Sequence, residues 1–114
     1  MQDVLAHCLN SLGFLVTCAG TATEAKKQIG AQYFDLVVID VLMPDGDGLE
    51  VIGETKKCYP TARIIAMTGE THPLDAKYCL QIAKAMGVHI AVLKPFTTAE
   101  FLKAVQQAMS PRSP

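Results

Sequence analysis

Three residues of different chemistry close three apolar runs in this chain. Asp40 follows Leu36-Val37-Val38-Ile39, Thr68 follows Ile64-Ile65-Ala66-Met67, and Lys94 follows Val92-Leu93. A carboxylate can act as a nucleophile toward phosphorus and form an aspartyl phosphate. A phosphoryl group in transfer carries spread negative charge, which a cation and a hydroxyl donor aimed at its oxygens stabilise. Asp40, Lys94 and Thr68 supply one group of each kind. Each also has a plain structural reading. Asp40 and Thr68 could cap turns, and Lys94 could be a solvated strand end.

The elements that must position these residues alternate. Residues 3–12 place Val4, Leu5, Cys8, Leu9 and Leu12 at helical spacing, and Gly13 stops the helix. "FLVTCA" (14–19) reads as a short strand. Thr21-Ala22-Thr23-Glu24 has the form of a capping box opening a helix to about Gln32. A strand follows over 34–40, then a turn-rich loop through Pro44, Gly46 and Gly48. The pattern continues with a helix over 49–58, a strand over 62–68, a helix from Pro73 or Asp75 to Met86 ended by Gly87, and a strand over 89–93. Thr97 to Glu100 forms a second capping box before a last helix to Met109. This order predicts an α/β domain with a parallel sheet covered on both faces. In such folds ligands gather at the carboxyl ends of the strands, where Asp40, Thr68 and Lys94 fall.

Composition narrows the alternatives. The chain has 114 residues, half of them apolar, and a formal charge of −1. That suits one domain with its own core. The absence of a basic excess argues against nucleic-acid binding by this segment, and no apolar run reaches the roughly 20 residues of a membrane span. Cys8, Cys18, Cys58 and Cys79 show neither a C-x-x-C pair nor histidines at ligand spacing, as expected of a reduced, cytoplasmic protein. His7, His72 and His89 are isolated, and no catalytic triad can be assembled.

With "DLVVIDVLMPDGDG", "ARIIAMTG" and "VLKPF" in this order and spacing, the chain resembles the receiver domain of bacterial two-component response regulators. The resemblance runs from about Gly13 to the end of the last helix. It implies a flavodoxin-like doubly wound fold and phosphorylation of Asp40 by a histidine kinase or phosphotransfer protein. Thr68 and Lys94 would then hold the phosphoryl oxygens. It further implies a cis Lys94–Pro95 bond, room for the phosphoryl group at Gly69, and tuning of phosphoryl lifetime by Leu42 and Glu70. Mg²⁺ would be held by Asp40 and the backbone carbonyl of Leu42. A receiver is a phosphoacceptor rather than an enzyme, its chemistry limited to its own phosphorylation and dephosphorylation.

The chain departs from the family at its start. The family's first strand ends in an acid pair that helps hold Mg²⁺, whereas "MQDVLAHCLNSLGF" matches the helix after that strand. Asp3 lies a turn too late to replace the pair. Two lost carboxylates should weaken Mg²⁺ by on the order of a thousandfold, with Asp45, Asp47 and Glu70 as partial substitutes. The family strand order is 2-1-3-4-5, so the absent strand belongs between "FLVTCA" and "DLVVID". The expectation is therefore an N-terminally truncated sheet of four strands instead of five. In it "FLVTCA" either slides across to pair with "DLVVID" or leaves a gap that a second copy fills as a homodimer. A second departure is Ala91, where the family commonly has a Tyr or Phe that changes rotamer, and the Thr68-to-Lys94 interval is also a few residues long.

Residues 1–109 are thus read as the receiver domain, and 110–114, "SPRSP", as a disordered tail or the start of a linker. The competing reading is a pseudo-receiver, a phosphorylation-independent interaction module on the same fold. A flavodoxin-like cofactor binder would need a glycine-rich phosphate loop after a strand, and none is present.

Overall fold

The computed structural model describes residues 2–43, 46–68, 78, 81–88 and 90–110. Its elements are α1 (Gln2–Ser11), α2 (Ala22–Ala31), β1 (Leu36–Asp40), β2 (Leu42–Met43), β3 (Gly46–Asp47), α3 (Gly48–Cys58), β4 (Arg63–Thr68), α4 (helical over 81–85), β5 (Ile90–Leu93) and α5 (Thr98–Met109). β1, β4 and β5 form a parallel sheet in that order, and β2 and β3 form a small antiparallel ribbon. The tail at 111–114, His72, Cys79 and His89 lie outside the described residues.

Period-two alternation along β4 explains the layering. Ile64 and Ala66 face a cluster with Ile39, Val51, Ile52 and Ala83, while Ile65 and Met67 face one with Phe101, Ala104 and Val105. A strand buried on both faces must be central, and β4 is. α2, α3 and α4 cover the first face, and α1 and α5 the second.

Local signals end the helices where the sequence puts them. Gly13 and Gly87 take φ of 91° and 98°, the left-handed conformation that follows a helix C-terminus at little cost for glycine. The capping box at Thr97 is complete: its hydroxyl accepts from Glu100 N–H, and the Glu100 carboxylate accepts from Thr97 N–H. At α2 the box is only partial. Thr21 accepts from Glu24 N–H, but the Glu24 carboxylate takes the N–H of Gly20, one residue further back.

One expectation fails. "FLVTCA" forms no strand, so the main sheet has three strands rather than four. Exposure alternates over its first four residues, with Phe14 and Val16 half-buried and Leu15 and Thr17 exposed, and the alternation breaks at exposed Cys18. No ladder joins it to β1 among the described residues. A cleft of about 830 Å³, lined by residues 13–20 and 34–40, separates it from β1. The sliding rearrangement is opposed by α1, whose Leu5, Cys8 and Leu9 pack with Phe14 against the α5 side of the core. Moving residues 14–19 onto β1 would strip those contacts.

Candidate functional site at the carboxyl ends of the strands

Asp40 ends β1 and Thr68 ends β4, while Lys94 follows β5 directly. The sheet register sets them side by side. Val41 N–H donates to the Met67 carbonyl at 2.8 Å, and Lys94 N–H donates to the Thr68 carbonyl at 2.8 Å. Each of these bonds extends the ladder by one residue past its strand, so the three strand ends remain level. The Lys94–Pro95 bond is cis.

The side chains converge as their charges require. The Lys94 ammonium donates to Asp40 Oδ2 at 2.6 Å, a charge-assisted hydrogen bond with side-chain exposures of 21% for Lys94 and 31% for Asp40. Both groups line the carboxyl-end mouth of the cleft beside β1. Partial exposure leaves the carboxylate reachable from solvent while the ammonium holds its orientation.

Thr68 behaves differently. Its residue is fully buried, and its hydroxyl has no hydrogen-bond partner among the described residues. Most buried polar groups are paired, and an orphan costs about 1–3 kcal/mol. Among the described residues no fold contact accounts for a hydroxyl at this buried position.

A further residue of the site, Gly48, drew attention in the sequence only as part of a turn. Its N–H donates to the Val41 carbonyl at 2.9 Å, bringing the start of α3 against the backbone that follows Asp40. A Cβ placed on Gly48 would run into the Asp40 carbonyl oxygen and stand 2.7 Å from Val41 Cα and 2.9 Å from Val41 O. Those are main-chain atoms, so a side chain there would displace the acceptor loop itself. The signal available in the sequence was the repeated Asp-Gly of "DGDG"; the close approach that makes the second glycine necessary is tertiary.

Leu42 lies in β2, its backbone paired with Asp47. Gly69, Glu70 and Asp45 lie outside the described residues, as do the side chains of Leu42 and Asp47. Asp40 is therefore the described carboxylate at the site, and Lys94 already occupies one of its oxygens. No cluster of three or more His, Cys, Asp or Glu side chains able to hold a metal forms among the described residues. Mg²⁺ wants near-octahedral oxygen ligation from one or two carboxylates with phosphate and water. The described donors fall short of that set without a phosphate. Cys8, Cys18 and Cys58 are free, and no helix among the described residues is long and apolar enough to cross a membrane.

The sequence profile of the response regulator receiver domain matches residues 1–106. The chain belongs to that family. It is 31% identical over its whole length to the DNA-binding transcriptional regulator NtrC of Azospirillum brasilense, of which it spans 23%. The receiver domain of NtrX from Brucella abortus shares the fold, with a TM-score of 0.83 at 23% identity over 95% of this chain and 88% of that one. A response regulator from Burkholderia pseudomallei, solved with a phosphorylated aspartic acid, a calcium ion and citrate, superposes with a TM-score of 0.76. It is 27% identical, over 92% of this chain and 59% of that one.

Proposed function

We propose that this domain is the phosphoacceptor of a two-component signalling protein, with Asp40 as the residue phosphorylated by a histidine kinase or phosphotransfer protein. The observation that carries the reading is the pairing of the Asp40–Lys94 contact with the orphan hydroxyl of Thr68. A carboxylate oxygen of Asp40 attacks the phosphorus of a phosphohistidine, the P–N bond breaks, and the imidazole leaves with the bonding pair. Lys94 then exchanges its contact with the carboxylate for one with a phosphoryl oxygen, and the Thr68 hydroxyl donates to another. Both interactions strengthen as charge moves onto the phosphoryl oxygens, which is where stabilisation counts. Asp40 and the Leu42 carbonyl are the atoms we assign to Mg²⁺ when the phosphoryl group supplies further oxygens; the ion would screen charge between donor and acceptor. Leu42 and Glu70 are proposed to tune phosphoryl lifetime, and the receiver unit to occupy residues 1–109, with 110–114 a disordered tail or the start of a linker.

One observation favours a second reading, a partner-binding module that signals without phosphorylation. The described oxygen donors for a cation reduce to one carboxylate that Lys94 already engages. Incubation with acetyl phosphate and Mg²⁺, followed by intact mass measurement, separates the two. A phosphoryl adduct that Asp40→Asn removes supports the acceptor reading. An unmodified chain, or an adduct that survives the substitution, overturns it.

A further inference from the structure

We propose that Phe96 is the positioning residue that couples the Asp40–Lys94 site to α5, turning occupation of the acceptor into a tilt of that helix about its far end. The proposal rests on the phosphoacceptor reading of Asp40. Connectivity makes the first argument. The two groups assigned to the phosphoryl oxygens belong to residues joined through the main chain, since Lys94 N–H donates to the Thr68 carbonyl at 2.8 Å. A pull on either side chain therefore reaches the peptide at residue 94. Pro95 follows, its φ fixed by the ring, so the link onward has fewer soft torsions in which a displacement can be lost. The half-buried Phe96 comes next, and its ring stacks on Phe101 with centroids 5.9 Å apart and planes inclined by 26°.

The second argument is that α5 is built to move as one body. The capping box ties Thr97 to Glu100 in both directions, and Phe101 N–H donates to the Thr97 carbonyl at 3.0 Å. With the ring stack, residues 96–101 form a stiff block at the start of the helix. Phe101 is fully buried in the cluster that holds Ile65 and Met67 of β4, so the block cannot shift without the helix shifting too. At the far end the Arg63 guanidinium donates to the Met109 carbonyl at 3.4 Å, which anchors α5 to the start of β4. One end is held and the other sits on the ring that follows Lys94. That is the arrangement of a lever.

The opposite face of the sheet has no matching device on β5. Ala91 packs there, against the cluster that includes Ile52 and Ala83 on α3 and α4. A methyl group has no staggered wells to switch between, so β5 gives the α4 side no counterpart of the Phe96 ring.

The test perturbs the site and reads the helix by amide hydrogen exchange, residue by residue, in the 114-residue chain. Asp40→Ala releases the Lys94 ammonium without any phosphoryl group. It should change exchange over residues 101–104 by about threefold or more and leave residues 81–85 unchanged. Adding Phe96→Leu, which keeps an apolar side chain but removes the stacked ring, should cancel that response, and Phe96→Tyr should restore it. A merely structural Phe96 would shift exchange equally with and without Asp40. The proposal is overturned by an α5 response that survives Phe96→Leu, by a response centred on residues 81–85, or by none at all. Intact mass after incubation with acetyl phosphate and Mg²⁺ keeps the two readings apart. Phe96→Leu should gain the same phosphoryl adduct as the unsubstituted chain, and loss of its adduct alone would place Phe96 in the acceptor site instead. If the unsubstituted chain gains no adduct, the acceptor reading fails, while the exchange comparison still decides the coupling.

Discussion

"RIIAMT" and "FLVTCA" are six-residue apolar runs of similar composition, and only the first is a strand. Residues 63–68 lie between β1 and β5, hydrogen-bonded on both sides and buried on both faces. Residues 14–19 have the helix α1 behind them and an open cleft in front. β-propensity describes a fit to a pleated, half-buried surface, and it produces a strand only where a neighbour offers the other half of the ladder. The difference also locates the chemistry. Asp40, Thr68 and Lys94 end or follow the three paired strands, with Asp40 and Lys94 at the mouth of that cleft, and the ladder register is what levels the three strand ends.

The largest expected effect breaks function on the paired side without touching its packing. Asp40→Asn should eliminate phosphoryl uptake from acetyl phosphate, while the Lys94 contact is kept as a neutral-acceptor hydrogen bond and thermal unfolding changes little. Uptake that persists would remove Asp40 from its role. The next effect compares the two runs directly. Ile65→Ala, in a fully buried position of β4, should lower stability by about 2–5 kcal/mol. Leu15→Ala, at a position as exposed as in an extended peptide, should stay within about 0.5 kcal/mol. Urea denaturation of both variants reads the contrast, and similar losses would show Leu15 to be packed after all.

Gly48→Ala tests how the acceptor loop is held. Its Cβ meets backbone, so we expect a loss of about 1–3 kcal/mol together with reduced phosphoryl uptake. A variant with native stability and native uptake would show that the loop yields freely. The smallest shift should be of opposite sign. Thr68→Val removes a buried hydroxyl that has no partner among the described residues, so stability should rise by about 1 kcal/mol, whereas phosphoryl uptake should fall. If stability drops instead, the hydroxyl is paired in solution and the donor assignment loses its support.

Much of the site was legible before any coordinates. Asp40, Thr68 and Lys94 each follow an unbroken apolar run, and a parallel α/β sheet brings such strand ends to one edge. Gly13, Gly87 and the Thr97 capping box ended or opened helices as their local chemistry dictates. These are short-range decisions, settled by dihedral freedom and by hydrogen bonds within a few residues. Gly48 was not legible in the same way, because its requirement is set by main-chain atoms at residues 40 and 41 that reach it only after the chain turns back.

The sequence by itself determined the alternation of elements, the apolar faces of β4, and the family of the chain. Only the tertiary structure decided the state of "FLVTCA", the 2.6 Å contact of Lys94 with Asp40 and the lack, among the described residues, of a partner for the Thr68 hydroxyl. The physical reason is common to all three. Propensity and pattern are properties of a segment, whereas ladder partners, ion-pair distances and unsatisfied hydroxyls are relations between segments far apart in the chain. Such relations exist only once packing has fixed which segments meet.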